Sequence, residues 1–98
     1  MKFLLTWQLH EGKLHDTLEL FSNMTAEEEE ALMGSDIKLV GRWHDLVRGS
    51  GVAIYETDSA EALSAYALGW NQHMDFDIAL VTDDEETRAV GRQMGAGA

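Results

Sequence analysis

DIKLVGRWHDLVRGSGVAIYET, residues 36–57, decides how the chain folds. Polar and apolar residues alternate through DIKLVGRWHDL, which is the period of a strand. RGSG is turn material, and VAIYET is a second strand-compatible run. Two such runs joined by a glycine-rich turn form a hairpin.

Working outward from the hairpin towards the N-terminus, TAEEEEALMG reads as a capped acidic helix. Thr25 with Glu28 fits a capping box, and Gly34 can stop it. Before it, Leu14, Leu18 and Phe21 recur at helical spacing, so residues 13–23 are expected to be a helix with Asp16 and Glu19 on its outer face. KFLLTWQL, residues 2–9, is the first strand, ended by Gly12. On the other side of the hairpin, Asp58 or Ser59 caps a helix with Leu63, Tyr66, Ala67 and Trp70 along one stripe. It passes through GWNQHMDFDIALV, residues 69–81, into the fourth strand. DDEETRAVGRQM suits a short terminal helix, and GAGA a flexible tail.

The expected class is therefore α+β with the ferredoxin-like βαββαβ order: a four-stranded antiparallel sheet with two main helices on one face. The domain spans residues 1–82, and 83–98 form a C-terminal helical extension and flexible tail. An open sheet face must be wetted or covered by a partner, which makes a homodimer the natural expectation.

Composition narrows the function classes. The 98 residues suffice for one small domain. Lys and Arg total 7 against 18 Asp and Glu, a net charge of −11, which repels nucleic acid and anionic lipid. There is no cysteine, so neither a disulfide framework nor a thiolate metal site is available. The apolar run in MKFLLTWQLHEG is too short for a membrane span and lacks a cleavage pattern. A cytoplasmic protein is the simplest expectation.

Alternation sorts the strands into two faces. Phe3, Leu5, Trp7, Leu9, Leu39, Gly41, Trp43, Ala53, Tyr55, Phe76, Ile78 and Leu80 make an aromatic and apolar face, assigned to the helices. The other carries Thr6, Gln8, Arg42, His44, Glu56 and Asp77, and is assigned to the dimer face. The parity of the second strand against the third depends on hairpin register.

GRWHDL at the end of the second strand, AIYETD at the end of the third, and GWNQHMDFDIALV together resemble an uncharacterised family of the dimeric α/β-barrel superfamily, the DUF3303-like chains. The resemblance covers residues 1–82 and rests on Trp43, Glu56 with Asp58, and Trp70 followed by Asp75 and Phe76. It implies a homodimer whose two sheets face each other as a barrel. Pockets of the wider superfamily lie between sheet and helices, and its members include cofactor-free monooxygenases, isomerases, cyclases and haem enzymes. Near the end of the first strand the family pattern has Glu-His, where this chain has Trp7 and Gln8. The segment 25–33 and the tail after residue 82 look like additions.

The candidate ligand pocket is Trp7, His15, Trp43, Tyr55, Trp70 and His73, with Phe76 beside them. The competing reading is plain core, because large aromatics dominate burial. His15 and His73 are the candidate acid–base groups; the alternative is surface and helix-end histidines. Ser50, Ser59 and Ser64 read as turn, cap and helix surface, so no nucleophile is paired with a base. His73, Asp75 and Asp77 alternate, but that spacing alone does not specify a metal, and Asp75 also suits the turn. The catalytic residues stay unassigned, and no metal or cofactor is expected. Two readings follow: a dimer binding a small apolar or aromatic molecule, with cofactor-independent catalysis as its extension, and a structural or regulatory dimer module without chemistry.

Overall fold

The computed structural model describes residues 1–97. Its elements are β1 (Lys2–Leu9), α1 (Leu14–Ser22), α2 (Ala26–Met33), β2 (Lys38–Asp45), β3 (Ser50–Glu56), α3 (Ala60–Trp70), β4 (Met74–Val81) and α4 (Asp84–Gly97). The strands form one antiparallel sheet in the order β2-β3-β1-β4.

The architecture expected from the sequence needs correction. The chain is α+β with four strands, but it carries four separate helices rather than two main ones. Its sheet is open, with β2 and β4 as opposite edges, and is not part of a closed dimeric α/β barrel or a two-helix ferredoxin-like unit. The extra helices have local causes. Thr25 Oγ1 accepts from the Glu28 backbone N–H at 3.1 Å and donates to the Glu28 carboxylate at 3.2 Å, so α2 starts on its own capping box. Asp83 and Glu86 repeat the device: Asp83 accepts from the Glu86 N–H at 2.8 Å, and Glu86 accepts from the Asp83 N–H at 3.1 Å. Once nucleated, α4 meets no proline and continues for 14 residues, through most of the GAGA segment expected to be a flexible tail. Ala98 of that segment lies outside the described residues.

Leu5 (0% exposed), Ala53 and Tyr55 point from the sheet into the core, where they meet Leu63 and Tyr66 of α3 and Ile37. Ser59 caps α3 by accepting from the Ala62 N–H at 3.1 Å. Phe3, Trp7, Leu39, Phe76 and Trp70 pack around this centre. α4 keeps Val90 and Met94 exposed, and Lys2 Nζ reaches Asp83 and Glu86 at its base, each at 3.4 Å. The molecule measures 53 × 29 × 18 Å.

A bulge in β2 reverses the faces assigned by alternation to Gly41, Arg42, Trp43 and His44. Leu39 pairs with Tyr55 and Gly41 with Ile54, so Val40 is an extra residue on β2. From there the parity is inverted: Arg42 pairs with Ala53 and His44 with Gly51, and both face the helices. Trp43 pairs with Val52 and is turned to the open face, 61% exposed. Edge strands accommodate bulges readily, and this one sits beside a glycine. The Trp43 indole folds back over Gly41, where any Cβ would collide with it.

Candidate functional site

A cleft lies between the helix-side face of the sheet and the helices α1 and α3. Its cavity is about 80 Å³. Trp7 and Leu9 of β1, Tyr55 of β3, and Met74 and Phe76 of β4 form the floor. The stripe Leu14, Thr17, Leu18 and Phe21 of α1 forms one wall, and Tyr66 and Trp70 of α3 form another. Leu46, from the turn after β2, stands near the mouth. Trp7 lies flat over Gly51 on the neighbouring strand, where a Cβ would overlap its indole, so that glycine fixes the height of the floor.

Polar groups sit at few positions in this apolar lining. Tyr55 and Tyr66 share one hydrogen bond between hydroxyls 3.1 Å apart, with rings edge-on at 5.3 Å. Burial, reinforced by Tyr55, pushes the Tyr66 phenol far above its ordinary pKa, so it stays protonated. Arg42 pairs with Glu29 of α2 and stacks over Phe21, its guanidinium carbon 4.9 Å from the ring centre. Burial opposes the Arg42 charge, but the Glu29 hydrogen bond, the neighbouring tyrosines and the Glu29 charge together more than offset it. His44 is exposed at the mouth, yet its ring touches Trp7 (5.6 Å) and Phe21 (5.4 Å). Partial desolvation, then the Arg42 charge, lowers its pKa below the ordinary 6.5, so it is neutral at physiological pH. Thr17 is 7% exposed, and among the described residues its Oγ1 is the buried side-chain polar atom without a hydrogen-bond partner.

The sequence candidates separate into four places. Trp7, Tyr55 and Trp70 line the cleft together with Phe76. Trp43 is on the opposite face, because of the bulge. His15 is exposed on α1. His73 sits in the turn after α3, its ring 6.0 Å from that of Trp70, and its carbonyl accepts from the His10 N–H at 2.9 Å. Of the residues assigned to the dimer face, Thr6, Gln8, Glu56 and Asp77 lie on the open face, while Arg42 and His44 lie at the cleft. Asp75 shares the open side of β4 with Asp77 and holds His10 at 3.1 Å. Among the described residues, no group of three His, Cys, Asp or Glu side chains could hold a metal ion.

Thr17, Tyr66, Arg42 and His44 are the polar cleft residues that the sequence reading left out of the pocket, and Glu29 supports Arg42 from α2. Thr17 and Tyr66 had a signal: Thr17 is three residues after Leu14 on the stripe, and Tyr66 lies on the stripe of α3. Chemically, the cleft offers a hydrophobic slot, a guanidinium and tyrosine hydroxyls at its polar positions, and one neutral imidazole at its mouth.

The comparisons with known proteins bear on fold and family. The structure is similar to protein Atu4242 from Agrobacterium tumefaciens, with a TM-score of 0.50 and 14% identity over 86% of this chain and 96% of that one. It is also similar to an uncharacterized NIPSNAP domain protein from Burkholderia xenovorans, with a TM-score of 0.47 and 13% identity over 85% of this chain and 95% of that one. Identities this low concern the fold alone. No curated protein matches the chain. Among the described residues, no helix is long and apolar enough to cross a membrane. Residues 1–95 match a family model, a span that includes both α2 and most of α4. The chain belongs to the family described as Domain of unknown function (DUF3303).

Proposed function

We propose that this domain binds a small, largely apolar molecule in the cleft between the sheet and the helices α1 and α3. The observation that carries the reading is a concave, mostly apolar cleft with a cavity of about 80 Å³, walled in part by aromatic side chains. Concave sites lined by aromatic and apolar side chains, here Trp7, Tyr55, Trp70 and Phe76, with a few polar groups are the form that small-molecule pockets take. The volume is far below the ~300–1,000 Å³ of pockets that bury drug-sized ligands, which restricts the occupant to about one ring with short substituents. If binding leads to turnover without a cofactor, neutral His44 at the mouth is the group placed to accept a proton.

Titration with toluene, followed by two-dimensional NMR, tests the reading. Saturable shifts at the Trp7 and Trp70 indole N–H groups are expected, and Leu18→Trp, which fills the cleft, should abolish them. Shifts that never saturate, or that persist in the filled variant, would sink it.

A second copy of the chain is the partner we propose for the open face. The support is Trp43, which stands exposed beside Leu4, Val52 and Ile54 on that face. Light scattering should then report a dimer that Trp43→Glu splits; a wild-type monomer at high concentration would exclude it. A cytoplasmic setting fits, since the chain has no cysteine for the disulfides common in small exported domains.

A further inference from the structure

The two edges of the sheet are built differently. β2 is broken by the Val40 bulge and begins with Lys38, devices that discourage pairing with another chain. β4 has neither. It pairs with β1 from Met74 to Val81 without a shift, contains no proline or lysine, and carries only Asp75 and Asp77 as charges. Among the described residues no strand lies on its outer side, and residues 82–95 that follow it are all exposed. Ile78 and Leu80 share the helix-side face with the buried Leu5, yet are 44% and 64% exposed.

The backbone of that edge is addressed outward in a fixed way. The His10 N–H donates to the His73 carbonyl at 2.9 Å, one step beyond the Leu9–Met74 pair. Backbone groups alternate sides along a strand, so Asp75, Asp77, Ala79 and Val81 turn theirs to β1. Met74, Phe76, Ile78 and Leu80 turn theirs to the free edge. An antiparallel neighbour must therefore set one of its own outward residues against each of these. For a second copy of β4, one register meets that demand without facing aspartate with aspartate. Ile78 lies opposite Ile78 of the second copy and Phe76 opposite its Leu80, while Asp77 faces its Ala79 and Asp75 its Val81. Sliding the copy by two residues one way sets Asp77 against Asp77. Sliding it the other way sets Phe76 against Thr82 and Asp75 against Asp83. In the favoured register Asp77 is diagonal to its own copy, roughly 7–8 Å away on a solvated edge.

We propose that β4 is a self-pairing edge: two copies of the chain align their β4 strands antiparallel about a two-fold axis through Ile78 and join their sheets into one. The axis stands perpendicular to the sheet, so the helices of both copies stay on the same side. Phe76, Ile78 and Leu80 of one copy continue into those of the other, and the two aspartates select the register. The contact does not use the open face around Trp43. It covers fewer large side chains than that face offers, so it forms at higher protein concentration. The two contacts are compatible, since each is isologous and occupies its own surface.

Sedimentation of the full chain carrying Trp43→Glu isolates this contact from the open face. A dimer that grows with concentration is expected, and adding Leu80→Lys should weaken it about tenfold or more, because an apolar side chain opposite Phe76 becomes a charge. Leu80 is exposed in the single copy, and circular dichroism checks that the variant folds. A Trp43→Glu protein that stays monomeric at the highest concentration reached overturns the proposal, as does a dimer that Leu80→Lys leaves unchanged. Neither result touches the open-face reading, which is tested on the wild type. If instead Leu80→Lys splits the wild-type dimer and Trp43→Glu does not, the open-face reading falls and the edge stands. Crosslinking reads the register. The chain has no cysteine, so Asp77→Cys and Ala79→Cys each carry a single thiol. Facing each other in a non-hydrogen-bonded pair, these two positions are close enough for a disulfide. When the two variants are mixed and mildly oxidised, the mixed dimer should exceed its statistical share severalfold. A statistical mixture, or an excess of the Asp77→Cys homodimer, overturns the pairing.

Discussion

Replacing Thr17 by valine should make the unliganded protein more stable. The substitution exchanges a hydroxyl for a methyl of nearly the same size at a position 7% exposed. A buried hydroxyl without a partner costs about 1–3 kcal/mol, and that cost disappears with the group. Threonine and valine have similar helix propensities, so α1 itself is little affected. For a chain of this size, 1 kcal/mol shifts the melting midpoint by roughly 4–8 °C, so the lower bound of the effect is readily measured. Circular dichroism at 222 nm during thermal and urea unfolding provides the assay, with Thr17→Ser as control. Serine keeps the hydroxyl and loses a methyl, so it should fall below the wild type while valine rises above it. A valine variant less stable than the wild type would refute the reasoning. It would mean that the hydroxyl is satisfied, by water or by the Lys13 carbonyl one turn earlier on α1.

Three further outcomes are expected. Gly51→Ala places a Cβ against the Trp7 indole, so it should cost about 1–3 kcal/mol by denaturant titration and shift the tryptophan emission as the ring moves; an unchanged spectrum and midpoint would contradict the close approach. His44 has a folded-state pKa below its unfolded value, so its stabilising contribution is full above the ordinary 6.5 and is lost as pH falls through the folded value. Stability of His44→Gln should therefore vary less across that acid window than stability of the wild type; parallel curves would show that His44 does not contribute. Asp83→Ala removes the cap of α4, a change worth about 0.5–2 kcal/mol. Hydrogen exchange should quicken along α4 while the global midpoint barely moves, and a cooperative loss of the whole fold would show that α4 belongs to the core.

The elements were legible because each has a short-range cause. Alternation marks the hairpin strands, and Thr25, Ser59 and Asp83 mark three helix starts through hydrogen bonds that span three residues. The Thr25–Glu28 capping box even announced α2 as a helix in its own right, although the family resemblance treated the segment as an addition. Periodicity put Trp7, Tyr55 and Trp70 between the sheet and the helices, and there they lie along the cleft. What defeated the pattern was the single extra residue at Val40. A bulge has no period, and parity beyond it is inverted, so Trp43 exchanged sides with Arg42 and His44. Gly41 was the visible hint, an unfilled position in an otherwise regular strand. Thr17 was missed for another reason. Its spacing put it on the inner stripe, but its polarity argued for solvent, and only the packed structure shows spacing prevailing over residue type. Closure of the sheet was expected from the family resemblance. In the chain as folded, β2 and β4 end as opposite edges.

The exposed α4 also bears on how this molecule moves through solvent. A compact chain of this length has a radius of gyration of about 13 Å, and this one reaches 16.0 Å. Friction grows with elongation, so a single copy will diffuse slowly and leave a sizing column early, in the place of a heavier sphere. Its rotation will be anisotropic, with slow tumbling of the long axis and faster spinning about it. Amide vectors along α4 will therefore relax differently from those of the sheet even where both are equally rigid.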